Sequence, residues 1–309
     1  MAPFLAQLVA FARTIRLSHS LFALPFALGT ALVAEPPVPA AAALALIVAC
    51  MVAARTAAMG MNRVADAALD ARNPRTADRA IPAGRLARRA ALGLTLASGA
   101  AFVALAWGFQ PLRGNPWPGL LAVPFLVVLF GYSWTKRVTV LTHWVLGLAL
   151  GLAPVGAWVA LRGEVGGVAV LVGAGVLFWT AGFDILYAFQ DVDVDRREGL
   201  CSVPARLGPR AARWVAGGCH AVTVALLALA IVYDGGPAAV GAGRVPVLNK
   251  GSEFALEVIA LALLIQHVRL RRATADRIAA AFLPMNAGVS LIWLGGVVYD
   301  VVAWPGGAG

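Results

Sequence analysis

Apolar runs bounded by polar residues divide the chain into nine segments of membrane-spanning length: 17–34, 39–61, 89–110, 117–134, 140–161, 166–190, 211–233, 252–270 and 278–300. A helix needs about 20 mostly apolar residues to cross a hydrocarbon layer of ~30 Å, and each run comes close to that. None alternates with a period of two, and alanine and glycine are frequent throughout. The pattern therefore predicts helices in close contact through small side chains, not a β-barrel. The expected fold is all-α, a polytopic protein of nine transmembrane helices in one domain over residues 1–309.

Composition supports this reading and excludes others. Hydrophobic residues make up 61% of the chain and charged residues only 13%, against about 25% charged in an ordinary soluble domain. Disordered and collagen-like classes do not reach that apolar content. Three cysteines without a CxxC pair and four histidines give no disulfide framework and little support for zinc. A net charge of +10 would suggest nucleic acid as partner in a soluble protein. Here the basic residues sit in short loops between apolar segments, so membrane lipid is the expected surroundings and nucleic acid is not.

Those loops also set an orientation. Twenty of the 25 Lys and Arg residues fall at the N-terminus or in the loops after the second, fourth, sixth and eighth segments. Arg113, Arg162, Arg244 and Lys250 lie on the other side, and Arg55 lies inside the second segment. Positive loops stay cytoplasmic, which predicts a cytoplasmic N-terminus and an odd number of spans. The Gly- and Pro-rich stretch 234–250 reads as a flexible outer loop.

The acids carry the chemistry. Asn62-Arg-Val-Ala-Asp66-Ala-Ala-Leu-Asp70 closes the second segment, and Asp184-Ile-Leu-Tyr187-Ala-Phe-Gln-Asp191-Val-Asp193-Val-Asp195 closes the sixth. Residues four apart on a helix lie one above the other, so Arg55, Asn62, Asp66 and Asp70 form one stripe, and Asp184, Tyr187, Asp191 and Asp195 a second. Stacked like charges repel unless something positive lies between them. Oxygen ligands without His or Cys select Mg²⁺ or Ca²⁺, and Mg²⁺ typically bridges carboxylates to substrate phosphates. Arg75, Arg79, Lys136 and Arg137, on the same face, would complete a diphosphate clamp. A buried ionisable residue inside a span is functional by default, which favours this reading over a solvated helix end. The rival is a cation-coupled transporter using these acids as ion sites, but transporter acids usually sit at the bilayer midplane rather than at helix ends beside arginines. An EF-hand is excluded, because Arg196 and Ser202 stand where that loop needs Gly and Glu.

At these residues the sequence resembles the UbiA superfamily of intramembrane prenyltransferases, and within it the 4-hydroxybenzoate polyprenyltransferase branch. The first family motif, NxxxDxxxD, matches Asn62, Asp66 and Asp70, and the second, DxxYAxxDxxxDxxxGxxS, runs from Asp184 to Ser202. Tyr132 to Arg137 resembles the family's YxxxKR segment, and Arg55 lies seven residues before the motif asparagine, as in members that prenylate aromatic rings. The resemblance implies a bacterial inner-membrane enzyme with its helices around a central cavity and its active-site loops cytoplasmic. It implies Mg²⁺ held by Asn62, Asp66, Asp70, Asp191 and Asp195, with a polyprenyl diphosphate as donor and Arg137 among the catalytic groups. The acceptor it implies is an aromatic acid, either 4-hydroxybenzoate or a dihydroxynaphthoate of menaquinone synthesis, held by Arg16, Arg55 and Tyr187. The displaced ring proton would go to Asp184 or Asp191.

Overall fold

The computed structural model describes residues 2–15, 22–236, 246–271 and 275–302. Its helices are α1 (Ala2–Ile15), α2 (Leu24–Ala34), α3 (Ala41–Arg72), α4 (Arg88–Trp107), α5 (Phe109–Arg113), α6 (Trp117–Thr135), α7 (Thr142–Arg162), α8 (Gly167–Tyr187), α9 (Val192–Arg197), α10 (Val203–Asp234), α11 (Lys250–Leu270) and α12 (Ala275–Val302). No strand occurs among the described residues, and the all-α expectation holds.

Each of the nine apolar segments coincides with a helix, but seven helices are both long and apolar enough to cross a membrane. The other two differ for separate reasons. Of the 17–34 candidate, 24–34 forms α2, only 11 residues long, while 17–21 lie outside the described residues. Helix α11 has 21 residues, but Lys250, Glu253 and Glu257 charge its first turns. Helix α1 was not anticipated. It packs Phe11 and Ile15 against Val64 of α3 and Ala91 of α4 and leaves Leu5 and Leu8 exposed.

Small residues set the closest approaches. A Cβ added to Gly173 of α8 would lie 2.6 Å from the carbonyl oxygen of Gly151 in α7, and one added to Gly296 of α12 would lie 2.5 Å from that of Gly251 in α11. Both distances are below van der Waals contact, so these helix pairs touch backbone to backbone, as the small-residue composition predicts. Larger side chains fill the space between helices. Trp179 is fully buried, with its ring 5.4 Å from that of Phe26 and 4.9 Å from that of Phe183. In contrast, Val127, Leu264 and Val268 project from the outer faces of α6 and α11 with over 60% of their surface exposed. In water such an apolar rim would be an aggregation surface, and in a bilayer it is the lipid contact.

The 234–250 stretch, expected to be a free loop, is tied down at both described ends. The Asp234 carboxylate accepts hydrogen bonds from the backbone N–H groups of Val247 and Leu248. Asp300, at the end of α12, accepts from the amides of Asn249, Gly251 and Ser252 and from the Ser252 hydroxyl. It thereby satisfies the orphan N–H groups at the start of α11.

Candidate active site

Helix α3 continues past the second apolar segment as one unbroken 32-residue helix. Asn62, Asp66 and Asp70 consequently share a face, as their spacing requires. Asp66 is buried, 3% exposed, and three groups surround it. Its Oδ2 accepts from Asn62 Nδ2 at 3.1 Å and from Lys136 Nζ at 2.8 Å, and its Oδ1 accepts from Arg137 Nη2 at 2.9 Å. Asp70, one turn on, accepts from Arg79 Nη1 at 2.7 Å through Oδ1. Its other oxygen is buried with no hydrogen bond and has Arg63 at 3.8 Å. After α3 the chain folds back on itself, and the Thr76 hydroxyl donates to the Asp70 carbonyl.

The second acidic stripe is not one helix. Helix α8 ends at Tyr187, a 3-10 turn occupies Ala188–Asp191, and α9 begins at Val192. Asp191 leaves helical geometry at φ −113°, ψ 6°. Its carboxylate is held from the α3–α4 loop instead, by Asn73 Nδ2 at 2.8 Å and Arg75 Nε at 2.9 Å on Oδ1, and by Arg75 Nη2 on Oδ2. Spacing within one helix carries no information about partners from another loop, which is why the single-stripe expectation fails for this half. Asn73 also accepts from the Arg75 amide through Oδ1, so its side chain braces the loop that delivers Arg75. The Arg75 guanidinium lies 5.6 Å from the Tyr187 ring centre. Glu198, just beyond α9, takes a forked pair of hydrogen bonds from Arg72, tying the ends of the two motif segments together. The Arg72 hydrogen bond holds the Glu198 carboxyl below its ordinary range, against a smaller opposing effect of desolvation.

Asp66, Asp70, Asp184, Asp191 and Asp195 line one cavity of about 750 Å³, together with Asn62, Tyr187, Arg75, Arg79 and Lys136. The two motifs thus meet, 118 residues apart in sequence between Asn73 and Asp191. Seven Lys and Arg side chains and six carboxylates line the cavity. A second, apolar pocket of about 170 Å³ runs on from it among α2 to α7, and Arg55, Met59, Tyr132, Leu146 and Leu150 line both. Arg55 has no carboxylate partner among the described residues, and its buried Nε has no hydrogen bond.

Not every expected residue stands at the wall. Arg137 lies behind Asp66, spending its donors on the Ser133 and Ala65 carbonyls and on Asp66 itself. It braces the α6–α7 turn against α3. Arg16 lies outside the described residues. Three residues were not anticipated: Arg63 and Asn73, which stand beside the motif acids, and His143, whose Nδ1 lies 2.7 Å from Asp184 Oδ2.

No group of three or more His, Cys, Asp or Glu side chains is close enough to hold a metal among the described residues. The donor set is two Asp pairs, each at i and i+4 in sequence, with Asn62 beside one of them and an unsatisfied buried oxygen on Asp70. Mg²⁺ commonly takes only one or two carboxylates and completes its shell with phosphate and water. The residues present fit such an ion.

A family profile, the UbiA prenyltransferase family, matches residues 23–292. A 4-hydroxybenzoate octaprenyltransferase of Vibrio campbellii is 32% identical over 175 residues, covering 57% of this chain and 60% of that protein. The chain thus aligns with about three-fifths of that relative's length. Among solved structures, a UbiA homologue from Aeropyrum pernix has a TM-score of 0.77 at 32% identity, covering 93% of this chain and 99% of the other. A UbiA homologue from Archaeoglobus fulgidus, bound to DMAPP and Mg²⁺, has a TM-score of 0.67 at 19% identity over 93% of this chain and 98% of its own. At that identity it speaks for the fold alone.

Proposed function

The chain belongs to the UbiA prenyltransferase family, and from that premise we propose that it transfers a polyprenyl group from a polyprenyl diphosphate to the ring of an aromatic acid. The observation that carries this reading is the cavity in which two acidic motifs, a set of basic side chains and Arg55, whose buried Nε has no hydrogen bond and which has no carboxylate partner among the described residues, meet the mouth of an apolar pocket. Each part matches one part of a substrate pair. Arg75, Arg79 and Lys136 suit the diphosphate, the apolar pocket suits the prenyl chain, and Arg55 suits the acceptor's carboxylate. Four-hydroxybenzoate is the acceptor favoured by the relatives' names. The site would face the cytoplasm at the inner membrane of a bacterium, in the nine-span arrangement that the Lys and Arg distribution supports.

Divalent metal, with Mg²⁺ preferred, would be held by Asn62 with Asp66 and Asp70 and by Asp191 with Asp195, and would offset charge on the departing diphosphate. Asn62 donates its amide N–H to Asp66, which leaves its carbonyl oxygen free as an uncharged ligand. Lys136, Arg75 and Arg79 now neutralise Asp66, Asp191 and Asp70. Were a divalent metal held by these acids, the same three side chains would be free to donate to phosphate oxygens. Departure of the diphosphate leaves an allylic cation, and the apolar walls around Met59, Leu146 and Leu150 keep water from it.

The acceptor ring then forms a carbon–carbon bond to the cation and loses a proton. Asp66, Asp70 and Asp191 have oxygens already engaged by ammonium or guanidinium groups and are given to the metal above. Asp184 has no Lys or Arg partner among the described residues and lines the same cavity. Asp195 shares both features but is given to the metal above, so Asp184 is the group assigned to take the ring proton. Membranes containing the protein should join a polyprenyl diphosphate to 4-hydroxybenzoate or 1,4-dihydroxy-6-naphthoate only with divalent metal present. Asp66→Asn and Asp191→Asn should abolish product at unchanged expression; full activity in both would refute the mechanism.

A further inference from the structure

We infer that His143 is a positioning residue for the reaction: held in one tautomer, it aims Asp184 at the acceptor ring. The inference rests on the prenyl-transfer reading above and adds a residue that neither acidic motif contains. His143 sits in the first turn of α7 and is 2% exposed. One ring nitrogen, Nε2, lies 3.2 Å from the backbone N of Val203, the first residue of α10, whose N–H donates to it. A nitrogen that accepts a hydrogen bond carries a lone pair, so in the neutral ring the proton is on Nδ1. There it is donated to Asp184 Oδ2 at 2.7 Å.

The consequence falls on Asp184. One oxygen is fixed by His143, while Oδ1 makes no hydrogen bond among the described residues and its side chain keeps 26% of its surface open, on the cavity side. Three helices define that direction: α7 through His143, α8 through Asp184 and α10 through Val203. A base oriented by a third group is a recurring arrangement in proton transfer, because the orienting hydrogen bond fixes both the rotamer and the exposed lone pair. In the step itself, the bond between the prenyl carbon and the diphosphate oxygen breaks with its electron pair leaving on diphosphate. The ring carbon bonds to the prenyl carbon, and the proton on that ring carbon passes to Asp184 Oδ1, restoring aromaticity.

The full-length protein in detergent or nanodiscs tests this with a polyprenyl diphosphate and 4-hydroxybenzoate, unlabelled or deuterated at the ring carbons beside the hydroxyl. His143→Phe keeps an aromatic ring in the site and removes the donor; His143→Asn keeps an N–H near the Nδ1 position. We expect His143→Phe to lower kcat by about 10²-fold, the low end of general-base contributions, while KM for the diphosphate stays the same. A ring-deuterium isotope effect absent from the parent enzyme should emerge, and His143→Asn should recover much of the rate. Unchanged kcat in His143→Phe overturns the inference. So does a loss without an isotope effect, or one that His143→Asn does not repair, since either marks His143 as a packing residue. If the parent enzyme prenylates no aromatic acid at all, the functional reading itself fails, whatever the variants do.

Discussion

Replacing Arg55 by Met should move stability and acceptor affinity in opposite directions. Arg55 lies where the polar cavity meets the apolar pocket, and its Nε is buried without a hydrogen bond. A buried polar group left unsatisfied costs about 1–3 kcal/mol. Met has a similar length and no such group, so Arg55→Met should stabilise the protein by roughly 1 kcal/mol once some of the arginine's solvation is allowed for. Acceptor binding should suffer. A charge-assisted hydrogen-bonded pair contributes about 1.5–3 kcal/mol, so at about 1.4 kcal/mol per tenfold KM for 4-hydroxybenzoate should rise between ~10- and ~150-fold. The assays are thermal unfolding in detergent and steady-state prenyl transfer with the diphosphate saturating. Phenol, which lacks the carboxylate, is the control: the parent enzyme should discriminate against it by the same factor, and the variant should not. A variant that melts lower, keeps its KM and still rejects phenol would place Arg55 in the fold rather than at the acceptor.

Other expectations follow from the same geometry. Asp70→Asn should raise the Mg²⁺ concentration needed for half-maximal activity by about tenfold or more, because it removes one charge from a two-carboxylate set; an unchanged Mg²⁺ titration would exclude Asp70 as a ligand. Chelation with EDTA should stop prenyl transfer, and added Mg²⁺ should restore it without refolding. Gly173→Leu should destabilise the protein by several kcal/mol, as expected of overpacking at a backbone contact, read as a lower melting temperature or loss of extractable protein. Glu198→Gln should lower the melting temperature at neutral pH. Since the folded-state value of Glu198 is depressed, its contribution is present above the unfolded carboxyl pKa and fades as pH falls through the folded one, so parent and variant should converge in acid.

The first motif was legible because everything that shapes it is local. Arg55, Asn62, Asp66 and Asp70 lie on one continuous helix, where a spacing of four is enough to fix a shared face. The second motif was half legible. Its residues do reach the same cavity, but the 3-10 turn at Ala188–Asp191 answers to Asn73 and Arg75, more than a hundred residues earlier. His143 escaped for the same reason, since its partners are 41 and 60 residues away and no motif spacing links them. Arg137, expected in the diphosphate clamp, instead bonds Asp66 and two backbone carbonyls, because a sequence cannot distinguish a guanidinium that faces a ligand from one that braces a turn. Helix α1 has too short an apolar face to register among spans chosen by length.

The near balance of seven basic and six acidic side chains has a consequence for the order of events. A resting chamber already neutralised by its own arginines and lysine has little net pull on free ions of either sign. Bare pyrophosphate would meet carboxylates, and lone cations would meet guanidinium groups, so each is a weak guest by itself. A divalent cation and a diphosphate arriving together would exchange both sets of contacts at once, so each should raise the affinity of the site for the other.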